Sequence, residues 1–406
     1  MRQLISRPGK LGTDDGGQEL RDLYAHQSAG FSFVRLNMFA RLCYTGTLKS
    51  VIQVVQSGDH PPLDGTETPF KFGYATLVIA GAQRLQVTPP GSGLHAETLR
   101  FLLARGCPPD VEDICQYTAL HHATMNHLSR PDLARILLEK NSKVDHLNIY
   151  GSSPIMGALM AGHTGAVDVL MEFGADLTIP DADGTTAERI FVSCGPQVTA
   201  VVTKWLRHRT GMQAPMDAKK CDYCGKVDDV KLKICAACHS VRYCSTACQR
   251  SHWKTHKYTC KPFSSSNTVT VKPFYSEHGN LMPTAEVTRG LLGMQVKKPL
   301  AKHQRASEQP TSYPKSIVIK VQVPYDPNPS VAHILPLSRA PLLVYTKKRD
   351  FVCHVTHEDN ATGYDHIAEV VRSKGVGGAK AYFAAELKSA DELVVKVSEL
   401  LAEQPF

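Results

Sequence analysis

The chain has 406 residues, of which 42% are hydrophobic and 21% charged, and its formal net charge is +8. That is ordinary globular usage; it excludes a wholly disordered chain and leaves room for two or three domains of roughly 100–200 residues each. The basic surplus is too small to argue for nucleic acid by itself. No uncharged apolar run approaches the roughly 18 residues of a membrane span, and Met1 to Gly9 carry no apolar core, so neither an anchor nor a secretory leader is expected. An intracellular protein, cytoplasmic or nuclear, is the expectation.

Residues 1–34 mix Gly, Asp, Gln and Arg without sustained periodicity. They are expected to form a loosely ordered extension, apart from a short helix around Glu19 to Ala25. From residue 35 the chain repeats itself. Leu102-Leu-Ala-Arg-Gly-Cys-Pro-Pro-Asp110 aligns with Leu137-Leu-Glu-Lys-Asn-Ser-Lys-Val-Asp145 and with Leu170-Met-Glu-Phe-Gly-Ala-Asp176, at offsets of 35 and 33 residues. Thr118-Ala-Leu-His-His-Ala123, Ser153-Pro-Ile-Met-Gly-Ala158 and Thr186-Ala-Glu-Arg-Ile190 recur at matching spacing. A period near 33 with this opening motif resembles ankyrin repeats, which implies paired helices stacked into a solenoid. Ala119, Leu120 and Ala123 give one helix an apolar face; Leu133, Ile136 and Leu137 give its partner another. About five repeats are expected over 35–212. One carries an insertion at 84–94, read as a surface loop, and a closing helix follows over Gln197 to Arg209.

Seven of the twelve cysteines fall between Cys221 and Cys260. The spacing is Cys221-x2-Cys224-x10-Cys235-x2-Cys238-x5-Cys244-x3-Cys248-x7-His256-x3-Cys260. Eight ligands in forty residues fill two tetrahedral zinc sites of four Cys or His each. The five scattered cysteines read as reduced, buried thiols rather than a disulfide framework. The whole stretch Arg242-Tyr-Cys-Ser-Thr-Ala-Cys-Gln-Arg-Ser-His-Trp-Lys-Thr-His-Lys-Tyr-Thr-Cys260 resembles the MYND zinc finger. The resemblance implies an interleaved pairing: Cys221, Cys224, Cys244 and Cys248 on one structural zinc, Cys235, Cys238, His256 and Cys260 on the other. It also implies that His256 is a ligand in preference to His252, and assigns Gln249 and Trp253 to capture of proline-containing partner segments; His239 reads as a loop residue. With metal and thiolates counted, the finger from Asp217 to Lys261 carries only about +3. It also lacks the Cys-x2-Cys-x12-His spacing of DNA-reading fingers, so nucleic acid is not an expected partner.

Residues 261–314 read as a flexible linker. Beyond it, Ile317, Ile319, Val321 and Val323 alternate as a strand, Leu342 to Thr346 and Phe351 to Val355 as a hairpin, and Tyr364, Ile367, Val370 and Val371 as a helix stripe. Lys380 to Leu387 fits a strand. Ser389-Ala-Asp-Glu392 has the form of a capping box, predicting a last helix through Leu393, Val397, Leu400 and Leu401. The fold class is therefore multidomain and mainly α: a solenoid, a cross-braced two-zinc finger and a small α+β domain over 315–406. The expected function is that of a zinc-binding adaptor contacting other proteins through both the repeats and the finger, with no catalysis and no membrane. The alternatives are a methyltransferase of the kind that carries MYND fingers, and a transcriptional regulator acting on DNA. The Asn-His-Ser-Cys and Gly-Glu-Glu-Leu motifs of such methyltransferases do not occur in this sequence.

Overall fold

The computed structural model describes residues 1–85, 93–126, 128–211, 220–226, 232–275, 312–324 and 340–401. The centre of the 84–94 insertion and most of the 261–314 segment lie outside these. The described residues divide into two compact units, the division falling between Trp205 and Leu206, inside a helix (Pro196–Thr210) that starts in the first.

In the first unit five helix pairs follow one another. They are α3 (Met38–Thr45) with α4 (Leu48–Ser57), α5 (Tyr74–Arg84) with α6 (His95–Ala104), and α7 (Ala119–Met125) with α8 (Pro131–Glu139). After these come α9 (Pro154–Ala161) with α10 (Thr164–Glu172), and α11 (Ala187–Ile190) with α12 (Pro196–Thr210). Leu77, Ile79, Leu102, Leu120, Leu137, Leu159 and Leu170 are wholly buried between pairs. Each such leucine contributes about 2 kcal/mol relative to exposure. Small residues set the approach distance: a Cβ on Gly81 would lie 1.7 Å from the Tyr44 carbonyl oxygen.

The loops between pairs are built alike. Asp113 Oδ1 accepts from the N–H of Cys115 and Tyr117, Asn148 Oδ1 from Tyr150 and Ser152, and Asp181 Oδ1 from Asp183 and Thr185, at 2.8–3.0 Å. Each loop also bonds the next, through Ile114 N–H to Phe70 O, Ile149 N–H to Cys115 O and Ala182 N–H to Tyr150 O. His121 ties its helix start to the following repeat. Its Nδ1 accepts from Thr118 N–H and its Nε2 donates to Ser152 O, both at 3.2 Å.

The amino-terminal residues correct the expectation of a loose extension. Short helix α1 (Arg2–Ile5), a tight turn at Thr13–Gly17 and helix α2 (Gln18–Ala29) lie on the repeats, with Leu4, Leu11, Leu20 and Tyr24 buried. Leu20, Tyr24 and Ser28, four residues apart, form one narrow buried stripe.

In the second unit the finger is followed by a curled, antiparallel six-stranded half-barrel in the order β5-β10-β9-β6-β7-β8. The strands are β5 (Thr268–Val271), β6 (Lys315–Gln322), β7 (Leu342–Thr346), β8 (Val352–Val355), β9 (Lys380–Ser389) and β10 (Glu392–Lys396). One helix, Ala361–Lys374, packs on it, and Ile319, Leu342, Phe351, Tyr364, Val371, Phe383 and Leu393 are wholly buried between them. Two expectations are corrected here. Part of the expected linker is strand β5, paired with β10 from Val271↔Leu393 to Thr268↔Lys396. The expected last helix is strand β10: Ser389-Ala-Asp-Glu392 turns the chain back, and Leu393-Val-Val395 pairs with Leu387-Glu-Ala385. The β-branched run Val394, Val395, Val397 favours a pleated, buried strand over a helix. Among the described residues no helix is long and apolar enough to cross a membrane.

Candidate metal centre

Two tight turns, one helix with the residue that caps its end, and Cys244 in the link leading into that helix carry all eight ligands. At the first turn Gly225 N–H bonds Cys221 O (2.8 Å) and Cys221 N–H bonds Lys226 O (2.9 Å), which fixes Cys221 and Cys224 on one side. Strands Lys233–Ile234 and Arg242–Tyr243, labelled β3 and β4, pair antiparallel and present the second turn. There His239 N–H bonds Cys235 O at 2.9 Å, and His239 adopts the left-handed conformation (φ 55°) that closes the turn. Helix α13 (Thr246–Thr259) begins at Ser245, whose Oγ accepts from Cys248 N–H at 3.1 Å. Cys248 lies in its first turn and buried His256 two turns on, while Cys260 caps its end by bonding His256 O at 2.7 Å.

This arrangement gathers two tetrads. Cys221, Cys224, Cys244 and Cys248 form one; Cys235, Cys238, His256 and Cys260 form the other, with all ligand atoms of each within 4.8 Å of one another. Cys224 and Cys244 Sγ are 3.5 Å apart, Cys244 and Cys248 Sγ 3.4 Å, and Cys238 Sγ lies 3.6 Å from His256 Nε2. Sulfurs bound to zinc at about 2.3 Å would stand about 3.8 Å apart, so little movement is needed to seat a metal.

The thiol electrostatics show why a cation belongs there. Burial opposes ionisation of Cys221, yet the N–H groups of Cys224, Cys244 and Tyr223 bring it down to about 6. Cys235 is lowered in the same way, against burial, by the N–H groups of Cys238 and Ala237. Their neighbours bear the cost. Cys244 is pushed up to about 12 by sharing protons with Cys248 and Cys224, and Cys260 to about 12 by burial beside Cys238 and Cys235. Each tetrad thus holds one thiol favoured as thiolate, Cys221 or Cys235, and one disfavoured, Cys244 or Cys260, a mismatch that a dication bound among them would relieve. Zn²⁺ suits this soft, complete donor set: each tetrad is a closed structural site, and the finger takes two zinc ions.

The remaining histidines stand aside. His252 Nδ1 lies 3.2 Å from the Tyr243 hydroxyl, and its ring stacks on His256 at 5.7 Å. His239 Nε2 bonds Ala236 O at 2.7 Å. Gln249 and Trp253 sit four residues apart on α13, the first half-buried and the second 46% exposed.

A contact absent from the sequence reading joins the finger to the half-barrel. Lys396 at the end of β10 is wholly buried, and its Nζ donates to Cys238 O (2.9 Å), Lys261 O (2.7 Å) and Glu399 Oε2 (2.8 Å). Glu399 also accepts from Ser240 Oγ at 2.7 Å. Although burial raises the Glu399 carboxyl, Lys396 and Ser240 hold it below its ordinary range. One ammonium therefore grips the backbone on both sides of the second zinc tetrad. The signal that would have found it is the unbroken apolar run Leu393-Val-Val395, which marks a strand and so places Lys396 at its end.

Residues 221–260 match the model of the MYND finger family. The finger is a MYND finger. Residues 91–181 match three copies of ankyrin repeats, so the helix pairs within that span are ankyrin repeats. Over 57 residues the chain is 47% identical to ubiquitin carboxyl-terminal hydrolase 19 of Arabidopsis thaliana, covering 14% of this chain and 8% of that protein. Over 96 residues it is 33% identical to the E3 ubiquitin-protein ligase KEG of the same plant, covering 23% and 6%. A 39-residue stretch is 49% identical to SET domain-containing protein 14 of Caenorhabditis elegans, covering 10% and 9%. The chain thus spans less than a tenth of each of these relatives. Ankyrin repeats and MYND fingers are in general protein-interaction modules.

Proposed function

We propose that the protein is a non-catalytic adaptor whose MYND finger captures short, proline-containing segments of partner proteins on the face bearing Gln249 and Trp253. The observation that carries this reading is the 46% exposure of Trp253, on a helix that also presents Cys248 and His256 to metal. A flat indole held by a rigid helix suits an extended proline segment, whose ordering cost is low, and Gln249 one turn away can hydrogen-bond its backbone. Two closed tetrads leave no open coordination position for metal-assisted chemistry, which supports a structural role for both zincs. The relative with a SET domain in its name matches over a finger-sized stretch, which favours a shared finger over a shared methyltransferase activity. The test is capture of proline-containing peptides by the full chain and by Trp253→Ala. Loss of capture with both zincs retained is expected; undiminished capture would overturn the face. Saturable binding of a methyl donor would favour the enzyme instead.

A further inference from the structure

The residues between Lys10 and Phe33 run across the ankyrin loops from the last repeat to the first. Thr13 donates its N–H and hydroxyl to the Asp183 carboxylate, both at 2.7 Å. Lys10 Nζ donates to Leu147 O (3.2 Å), Asn148 O (2.7 Å) and Gln116 Oε1 (2.9 Å), and Leu11 N–H to Ile149 O (2.9 Å). On α2 the Arg21 guanidinium lies 4.4 Å above the Tyr150 ring. Tyr24 packs on Phe70 and Tyr117 and donates its hydroxyl to Asp113, which His122 also contacts at 3.1 Å. Phe31 then sits edge-on against Tyr44 and Phe72, and Phe33 stacks on Tyr44.

Three features make this segment resemble a bound ligand more than a repeat. Among the described side chains of α2 the buried ones are the stripe Leu20, Tyr24, Ser28, while Glu19, Asp22, Ala25, His26 and Gln27 face solvent. That is the i, i+4, i+8 anchoring of a helix laid in a groove. Its polar anchors fall on the loop carboxylates and carbonyls, and ankyrin stacks bind partners on surfaces of this kind. The apolar core of the stack lies between the helix pairs themselves, with Leu77, Leu120, Leu137 and Leu170 wholly buried there.

We propose that residues 10–33 are an intramolecular ligand occupying the loop side of the ankyrin stack. The partner for this side is then a protein segment of the same chemistry: an amphipathic helix with an aliphatic–tyrosine stripe, flanked by a lysine or arginine. Such a partner gains access by displacing the chain's own segment. The tyrosine hydroxyl meets the Asp113 carboxylate, and the cation meets the carbonyls of residues 147 and 148. This deepens the adaptor reading by naming the partner class of the stack, and it rests on that reading. The finger test through Trp253 is independent of it, so the two fail separately.

The test uses the full chain with a specific protease site inserted after Val34, where residues 32–35 are exposed. After cutting, a fluorescent peptide of residues 8–34 is added in excess. One labelled peptide per chain should exchange in, the helical circular dichroism should persist, and uptake by the uncut chain should be at least tenfold lower. A peptide carrying Lys10→Ala and Tyr24→Ala should bind at least tenfold more weakly. In the uncut chain, Leu20→Ala with Tyr24→Ala should open the surface to the wild-type peptide. Unfolding of the stack on cutting, or failure of the peptide to enter the cut chain, would make the segment part of the core and overturn the proposal. So would equal binding of the doubly substituted peptide.

Discussion

The ankyrin stack and the MYND finger reach a defined structure by different means. In the stack, whole leucine and isoleucine side chains disappear between helix pairs, and the loops repeat one carboxylate or amide brace at positions 113, 148 and 181. In the finger the buried cluster is Cys221, Cys235, Cys238 and Tyr243, so six of its eight metal-ligand positions border the little apolar packing it has. Forty residues without an aliphatic core need the metal as their core. The stack owes its order to burial that accumulates along the chain, whereas the finger owes it to two ions. Damage should therefore be graded in the first and all-or-none in the second.

The largest effect is expected from taking metal away. A structural zinc contributes about 10–16 kcal/mol of folding free energy in small fingers. Metal analysis should return two zinc equivalents for the native chain, and Cys235→Ser should return one or fewer. The far-UV helical signal of the stack should survive this change almost intact. If the entire helical signal disappeared with the zinc, the two modes of stabilisation would not be separate.

A smaller loss should sharpen the comparison from the other side of the finger. Lys396→Met removes the donor shared by Cys238 O, Lys261 O and the Glu399 carboxylate. Removing one partner of a buried ion pair costs about 3 kcal/mol or more. The change should speed zinc release to a chelator and lower the unfolding midpoint of the second unit, with the stack transition unmoved. Unaltered release kinetics would show that the finger holds its metal without help from the half-barrel.

The smallest effect belongs to the stack and depends on pH. Burial depresses His121 from its ordinary 6.5 to about 3, and its Nδ1 already accepts the Thr118 N–H. Between these values the unfolded chain binds the proton that the folded one refuses. Stability is therefore fully present above about pH 6.5 and falls as acid is added, by about 2 kcal/mol at pH 5 from this residue alone. Thermal unfolding of the stack between pH 7 and 5 should show this slope, and His121→Gln should flatten it. An unchanged slope in the variant would assign acid sensitivity to other groups.

How far each region could be read from sequence follows from the same contrast. Metal ligands are legible because coordination demands fixed residue types at short, fixed spacings, and Cys221 to Cys260 supplies them within one stretch. The helix pairs are legible because Leu102, Leu137 and Leu170 recur at near-constant intervals. The misread parts are those whose order comes from distant residues. Leu20 and Tyr24 suffice to suggest a short helix but not where it docks, because the Tyr24 partners Phe70, Asp113 and Tyr117 lie 46 or more positions away in the chain. Thr268–Val271 is a strand because Leu393–Lys396 offers it a ladder. Glu392, read as a helix-capping residue, follows a turn because the residues after it pair with the strand before it.

The half-barrel has one further property. Beyond β5, Phe274 and His354 of β8 exchange both backbone hydrogen bonds, at 2.8 and 2.9 Å, and so join the two outermost strands. An open sheet exposes rows of unpaired amides that recruit strands from other molecules, and closure removes that template. This seam pairs the half-barrel's two edges at one point and removes the template there. Its weak point is Phe274, whose half-exposed ring leaves the joint reachable from solvent.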